Sequence, residues 1–504
     1  VHTTAVVPLP VSVAASDAPP FRLERAITVT GDPAAARDLG AVLATLGLSA
    51  APAADERPTA GIHLSIAPGG EAESYDLTSS AAGITIVGAD AAGLFYGVQT
   101  AAQLLARARK DGTVPALTIH DRPRFAYRGV MLDVARHFHD VETVLAYIDR
   151  AAALKFNVLH LHLTDDQGWR LQSVTRPLLT ERASGTSAGG DPGGSYTHDD
   201  YRRILDHASA RHMTVVPEID LPGHTHAVSL AHPELSEQPV VSADVLETIE
   251  QFGGGVPENG APYTGIAVGF SSLRIHDEAT YAFLGDVLGE LAELTPGPYL
   301  HIGGDEALGT PADDYALFLS RVTAMVAALG KTPIAWHEAG AATGLHPSTV
   351  GQYWGFVSPT DGMDDKTRTF VRNGARVILS PADAVYLDMK FDAASPLGLT
   401  WARGVTSLQR SYDWEPAEVI DGVSETDILG VEAPLWTETV RDLEAIDALA
   451  FPRIAAAAEA AWSPPRGSSP ERTWESFRTR VGTLGPLWKA QGIRFTALPD
   501  VDWS

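Results

Sequence analysis

Beyond about residue 123, hydrophobic and polar positions follow a two-part rhythm: short, mostly apolar runs alternate with stretches where apolar residues return every three or four positions. The short runs predict strands at Arg128–Asp133, Val158–Leu163, Thr214–Ile219, Tyr299–Ile302, Pro333–Trp336, Thr349–Tyr353, Arg376–Leu379 and Ile428–Ala433. After the first of them, Asp140 caps a predicted helix that carries Val144, Leu145, Ile148, Ala152 and Leu154 and runs to Asn157. Tyr201–Met213, Ala279–Leu294 and Asp313–Leu329 repeat the helical spacing, and Gly330 suits the left-handed position that ends the last. Strand–helix units repeated over roughly 350 residues predict a (β/α)8 TIM barrel. A doubly wound sheet would need a phosphate-binding Gly-rich first turn, which the chain lacks.

The preceding stretch reads differently. Residues 1–20 are rich in Ala, Pro and Val without period, and predict an extended arm. Residues 21–123 predict strands with few helices. Ile84–Gly88 is one strand, and Asp90 caps a helix to Arg109 with Leu94, Val98, Ala101, Ala102 and Leu105 on one face. Asp121-Arg122-Pro123-Arg124 marks the boundary. The expected organisation is a small α+β domain over 1–123 and a barrel over 124–504.

Charge and composition narrow the function. Lys+Arg is 37 and Asp+Glu is 63, a net −26 that repels nucleic acid and anionic lipid. No apolar run approaches the ~20 residues that cross a bilayer. The absence of cysteine removes disulfides, thiolate metal sites and thiol nucleophiles. The start, Val1-His2-Thr3-Thr4, has no Met, and the expectation is a secreted protein after removal of its leader.

In a barrel of this kind, chemistry gathers at the carboxyl ends of the strands. Those ends read Asp133-Val134-Ala135-Arg136-His137, Thr164-Asp165-Asp166, Pro222-Gly223-His224, Gly303-Gly304-Asp305-Glu306, Trp336-His337-Glu338, Gln352-Tyr353-Trp354, Tyr386-Leu387-Asp388 and Trp436-Thr437-Glu438. Asp305-Glu306 is the sharpest pair. Adjacent carboxyls resist joint ionisation, so one can keep the proton that a glycosidic leaving oxygen needs. Trp336, Trp354 and Trp436 stand at three separate strand ends and Trp401 in a long loop. Flat indole faces suit sugar rings and acetamido methyls. Arg136, Asp388 and Glu438 can bind hydroxyls by charge-assisted hydrogen bonds. His160-x-His162 leaves a second reading open, a metal-dependent hydrolase with His224 and His226 as further ligands. A sugar-binding barrel without catalysis is a third.

His301-Ile302-Gly303-Gly304-Asp305-Glu306 resembles the H-x-G-G-D-E signature of glycoside hydrolase family 20, the β-N-acetylhexosaminidases. Met131–Phe138, His160–Trp169, Pro222–Thr225 and Glu432–Glu438 resemble further blocks of that family in its order, closest to its bacterial secreted members. Tyr96-Gly97-Val98-Gln99-Thr100 is similar to the end of the small domain before its barrel. The resemblance implies exo-acting release of terminal N-acetylglucosamine or N-acetylgalactosamine from glycosides and chitooligosaccharides, with no metal and no cofactor. It implies retained configuration, with the 2-acetamido oxygen attacking carbon-1 to give an oxazolinium ion. Glu306 would be the general acid and then base. Asp305 would hold the acetamido N–H and Tyr386 its oxygen. Trp336, Trp354 and Trp436 would wall the acetamido pocket, and Trp401 would meet the leaving group. Arg136 and Glu438 would bind hydroxyls 3 and 4, Asp388 the outer hydroxyls, and Asp165 with His224 would tune Glu306.

Overall fold

A computed structural model describes residues 5–51 and 60–503. Contacts divide the chain into two compact units, one of Val1–Arg128, Arg150–Phe156 and Asp447–Ser504, the other of Gly129–Asp149 and Asn157–Ile446.

The first unit is built on a seven-stranded sheet of β1 (Ser12–Ala15), β2 (Ala26–Gly31), β3 (Ser49–Ala51), β4 (Gly61–Ile66), β5 (Tyr75–Ser80), β6 (Gly83–Gly88) and β7 (Leu117–Asp121), in the order β1-β7-β5-β6-β4-β2-β3. The expected extended arm is corrected here, because Ser12–Ala15 pairs antiparallel with Leu117–His120 as an edge strand. The helix expected from Asp90 runs over Ala91–Asp111, with the Asp90 side chain accepting the Gly93 N–H and Gly112 left-handed at its end.

In the second unit, which takes in the first barrel strand from Gly129, β8 (Tyr127–Asp133), β9 (Val158–His162), β10 (Thr214–Glu218), β11 (Tyr299–His301), β12 (Thr332–Trp336), β13 (Val350–Tyr353), β14 (Val377–Leu379) and β15 (Ile428–Leu435) close the barrel. Adjacent strands run parallel. All five residues of β9 are buried, since one face meets the helices and the other the barrel interior. The helix over His198–Ala210 shows why the helices form where they do. Thr197 and Asp200 make a reciprocal capping box, and Tyr201, Ile204, Leu205 and Ala208 bury one stripe at helical spacing. The helix after β8 ends at Ala152 rather than Asn157, because residues 153–155 form a turn in which Lys155 is left-handed. Among the described residues no helix is long and apolar enough to cross a membrane.

Candidate active site

The strand β11 leaves the barrel through two glycines. Gly303 and Gly304 have φ of 68° and 100°, and a Cβ on Gly303 would lie 1.7 Å from Asp220 Oδ1. No other residue fits that passage. The Gly304 N–H donates to the same Asp220 oxygen at 3.2 Å. Two residues beyond Gly304 the backbone is left-handed again, with Glu306 at φ 43°. A non-glycine residue held there is strained, and such strain gathers where function demands an orientation. Asp305 is buried, whereas the Glu306 side chain keeps 34% exposure.

Both carboxyls face one imidazole. His224 Nε2 lies 3.5 Å from Glu306 Oε2 and 3.7 Å from Asp305 Oδ2, and its Nδ1 is 3.1 Å from Asp165 Oδ1. Burial opposes charge on His224, but Asp165, Asp220 and Asp305 around it raise its pKa well above the usual value. Burial also opposes ionisation of Asp165. Arg136, whose Nη1 lies 2.8 Å from Asp165 Oδ2, and His224 together hold it well below the carboxylate range. For Asp305 burial wins over His224, and with Glu306 beside it the carboxyl is pushed up to about 6. Burial likewise lifts Glu438 to about 7 against the pull of Arg136.

These groups open on a cavity of about 530 Å³ lined by Arg136, Asp305, Glu306, Trp354, Tyr386, Trp401, Trp436 and Glu438, among others. Its aromatic wall is continuous. Trp354–Trp401, Trp401–Tyr386, Tyr386–Trp436 and Trp436–Trp336 have ring centroids 5.9, 5.6, 6.3 and 6.0 Å apart. The Arg136 guanidinium lies 4.7 Å over the Trp436 ring. Trp336 itself is fully buried within the cluster of Met131, Tyr386, Met389 and Trp436, and its N–H donates to Glu218 at 3.0 Å. Trp401 is 47% exposed at the cavity rim. Asp388 is buried two residues beyond Tyr386. Every site residue expected from sequence therefore lies in this one unit, eight of them on the cavity and Asp165, His224, Trp336 and Asp388 outside the lining.

The histidine pair sits deeper, inside the barrel. His160 donates from Nε2 to Glu218 and from Nδ1 to Glu432, both at 2.9 Å. His162 donates from Nδ1 to Glu218 at 2.5 Å and from Nε2 to Asp165 at 2.7 Å. Burial opposes charge on both rings, but the carboxylates overcome it and push His160 up to about 9 and His162 well above the usual range. A ring that donates from both nitrogens offers a metal no lone pair. His226 spends its Nε2 on the Ala261 carbonyl at 2.9 Å.

Sequence reasoning assigned no part to Glu218, Glu432, Gln352 or Glu338. Gln352 Nε2 donates to Glu432 at 2.6 Å, and Trp354 Nε1 donates to Glu338 at 2.9 Å. For Glu218, Glu432 and Gln352 the available signal was a polar residue inside a run read as a strand buried on both faces, which must find partners there. It also missed the cavity wall formed by Thr248, Gln251 and Phe252, which share a face of the helix Ala243–Phe252.

Comparison with known proteins places this geometry. Residues 125–311 and 309–465 match the family model "Glycosyl hydrolase family 20, catalytic domain", and residues 3–122 match "Glycosyl hydrolase family 20, domain 2". The chain is 41% identical over 516 aligned positions to a β-N-acetylhexosaminidase of Cellulomonas fimi, covering 99% of this chain and 97% of that one. It is 59% identical to the solved structure of a glycoside hydrolase family 20 β-N-acetylglucosaminidase, at TM-score 0.91 with both chains fully covered. A Streptomyces plicatus β-hexosaminidase variant solved with N-acetylglucosamine as product is 42% identical at TM-score 0.87, covering 100% of this chain and 98% of that one. With both family models matched along the chain, this protein belongs to glycosyl hydrolase family 20 and is a glycoside hydrolase.

Proposed function

We propose that this enzyme releases terminal, non-reducing β-linked N-acetylhexosamine from glycosides and oligosaccharides, using the substrate's own acetamido oxygen as nucleophile. The observation that supports this best is the Asp305–Glu306 pair, turned by two glycines onto a Trp-walled cavity with His224 between it and Asp165. The names of relatives agree, including a Vibrio harveyi N,N'-diacetylchitobiase that is 28% identical over 77% of this chain and 54% of its own length.

In this reading the sugar's acetamido group lies against Trp436, Trp354 and Tyr386, with Trp336 behind them. Asp305, ionised above about 6, accepts the acetamido N–H and steadies the positive charge that develops on it. Burial lifts Tyr386 well above the usual phenol range, so its O–H stays protonated and donates to the acetamido oxygen. Two fixed contacts on one small group aim its oxygen at carbon-1 and replace random encounter with a held geometry. Glu306, the more open of the two carboxyls, gives its proton to the departing glycosidic oxygen. Carbon-1 then bonds the acetamido oxygen in an oxazolinium ion. Water, deprotonated by Glu306, opens that ring from the opposite face, so the configuration is retained. Arg136 and Glu438 engage hydroxyls 3 and 4, Asp388 the outer hydroxyls, and the half-exposed Trp401 the leaving group. His224 with Asp165 sets the field at Glu306. We also propose that the chain acts outside the cell.

The test is a release assay with aryl 2-acetamido-2-deoxy-β-glucoside and its galacto isomer, the plain β-glucoside, and a thiazoline mimic of the oxazolinium. Hydrolysis of the acetamido sugars alone, tight inhibition by the thiazoline, and activity that survives dialysis against a chelator are expected. Equal hydrolysis of the plain glucoside contradicts the mechanism.

A further inference from the structure

One buried carboxylate has no part in the chemistry above, yet touches two pieces of its machinery. Glu218, at the end of β10, is fully buried. Its Oε1 accepts the Trp336 N–H at 3.0 Å. Its Oε2 accepts from His162 Nδ1 at 2.5 Å and His160 Nε2 at 2.9 Å. Strand register sets this up. His162 is the direct partner of Glu218 on β9, and His301 its partner on β11. From His162 the contacts continue to Asp165 Oδ2 at 2.7 Å, from Asp165 Oδ1 to His224 at 3.1 Å, and from His224 to Glu306 at 3.5 Å.

We propose that Glu218 is a positioning residue for glycoside hydrolysis: one oxygen seats Trp336 behind the acetamido pocket, and the other keeps the His162–Asp165–His224 line in the charge state that serves Glu306 and Asp305. The inference rests on the catalytic roles given to Glu306 and Asp305 in the proposed function. Its physical basis is acceptor counting. His162 donates from both nitrogens only as an imidazolium, and Glu218 is the acceptor for one of the two. A glutamine in its place offers one accepting oxygen, while its amide faces the other donors. The negative charge of Glu218 and the positive charge of His162 then vanish together, so local net charge is unchanged. The effect travels through Asp165: a neutral His162 still donates to it from Nε2 but no longer as a cation, and Arg136 stays at 2.8 Å. Asp165 is then less neutralised and holds the His224 cation more firmly, which favours the ionised form of Asp305. Glu218 also acts on Asp305 directly and raises its pKa, so removing its charge works in the same direction, while Glu306 and Asp220 beside Asp305 stay in place.

The experiment compares the parent enzyme with Glu218→Gln on the aryl 2-acetamido glucoside, recording the pH profile of kcat/KM, the kcat and KM values, and thiazoline inhibition. Circular dichroism and melting curves give the folded fraction. The expected result is a displacement of the acid limb, set by Asp305, to lower pH by about half a unit or more. KM and the thiazoline inhibition constant should also rise as the seat of Trp336 loosens. Surviving activity with the parent's profile and KM, reduced only in proportion to folded protein, overturns the inference. Should Glu218→Gln fail to fold, His162→Gln cuts the arm to Asp165 and leaves the Trp336 N–H on Glu218. It is expected to displace the profile, and the parent's profile there is equally fatal. A parent enzyme that ignores the thiazoline counts instead against the substrate-assisted reading on which the proposal rests.

Discussion

Two groups of buried carboxylates, one in each compact unit, make opposite uses of burial. In the first unit Glu459 is saturated. Oε1 accepts from Arg480 at 2.6 Å and Arg472 at 3.2 Å, and Oε2 accepts from Arg480 at 2.7 Å and the Leu9 N–H at 3.1 Å. Burial opposes its charge, but Arg480 leads the partners that hold it below the usual carboxylate range. In the barrel, Asp305 Oδ1 and Glu438 Oε2 have no hydrogen-bond partner among the described residues, and burial lifts the two carboxyls to about 6 and about 7. A satisfied buried charge builds architecture. A buried carboxyl with an oxygen unspent, at the wall of a cavity, is kept ready for a ligand.

The comparison breaks if substitutions in the two groups have the same consequences. The largest effect is expected from Glu306→Gln. On substrates with poor leaving groups it should lose roughly 10²–10⁴-fold in kcat, the range a general acid supplies, with a much smaller loss on activated aryl glycosides. Asp305→Asn comes next, with a loss of about 10²–10³-fold in kcat measured by initial rates, since it removes the charge that faces the developing cation. Glu459→Gln is expected to leave the kcat of folded enzyme unchanged and to lower stability by about 3–5 kcal/mol in denaturant titration, because two buried guanidiniums lose their counter-charge.

These contrasts also bear on what could be read from the chain alone. The eight barrel strands were legible to within a residue or two because parallel strands buried on both faces leave short apolar runs between amphipathic helices. Residues at strand ends were legible because function concentrates there in a barrel. The interior of the barrel was not. Glu218 meets His160, 58 positions away, and Glu432 meets the same ring across 272. No local pattern joins residues so far apart, and a paired carboxylate in a strand looks like any polar interruption. The edge strand Ser12–Ala15 was hidden for a related reason, since its partner β7 lies more than a hundred residues on and pairing rather than apolar alternation makes it a strand.

Smaller effects sharpen the contrast. Glu438 has its pKa raised from 4.5 to about 7 in the fold, so the folded state holds a proton there that the unfolded chain releases. Its contribution to stability is present in full below about 4.5 and is lost as pH rises through about 7. Glu438→Gln should therefore raise stability at pH 8 by on the order of 1–3 kcal/mol in melting experiments, while weakening sugar binding. The same substitution at Glu459 has the opposite sign. Smallest is Trp401→Ala, expected to cost about 0.5–1.5 kcal/mol in kcat/KM on oligosaccharides from lost ring contact at the rim.

The most direct test of the central claim, that the substrate brings its own nucleophile to a cavity which holds it and lends a proton, is a series of aryl glycosides with acetyl, fluoroacetyl, difluoroacetyl and trifluoroacetyl on the 2-amino group. Each fluorine withdraws electrons from the carbonyl oxygen and leaves the glycosidic bond nearly untouched. The account predicts that log kcat/KM falls steeply and steadily along the series. A flat dependence would mean that the acetamido oxygen does not attack, and that the enzyme carries its nucleophile elsewhere.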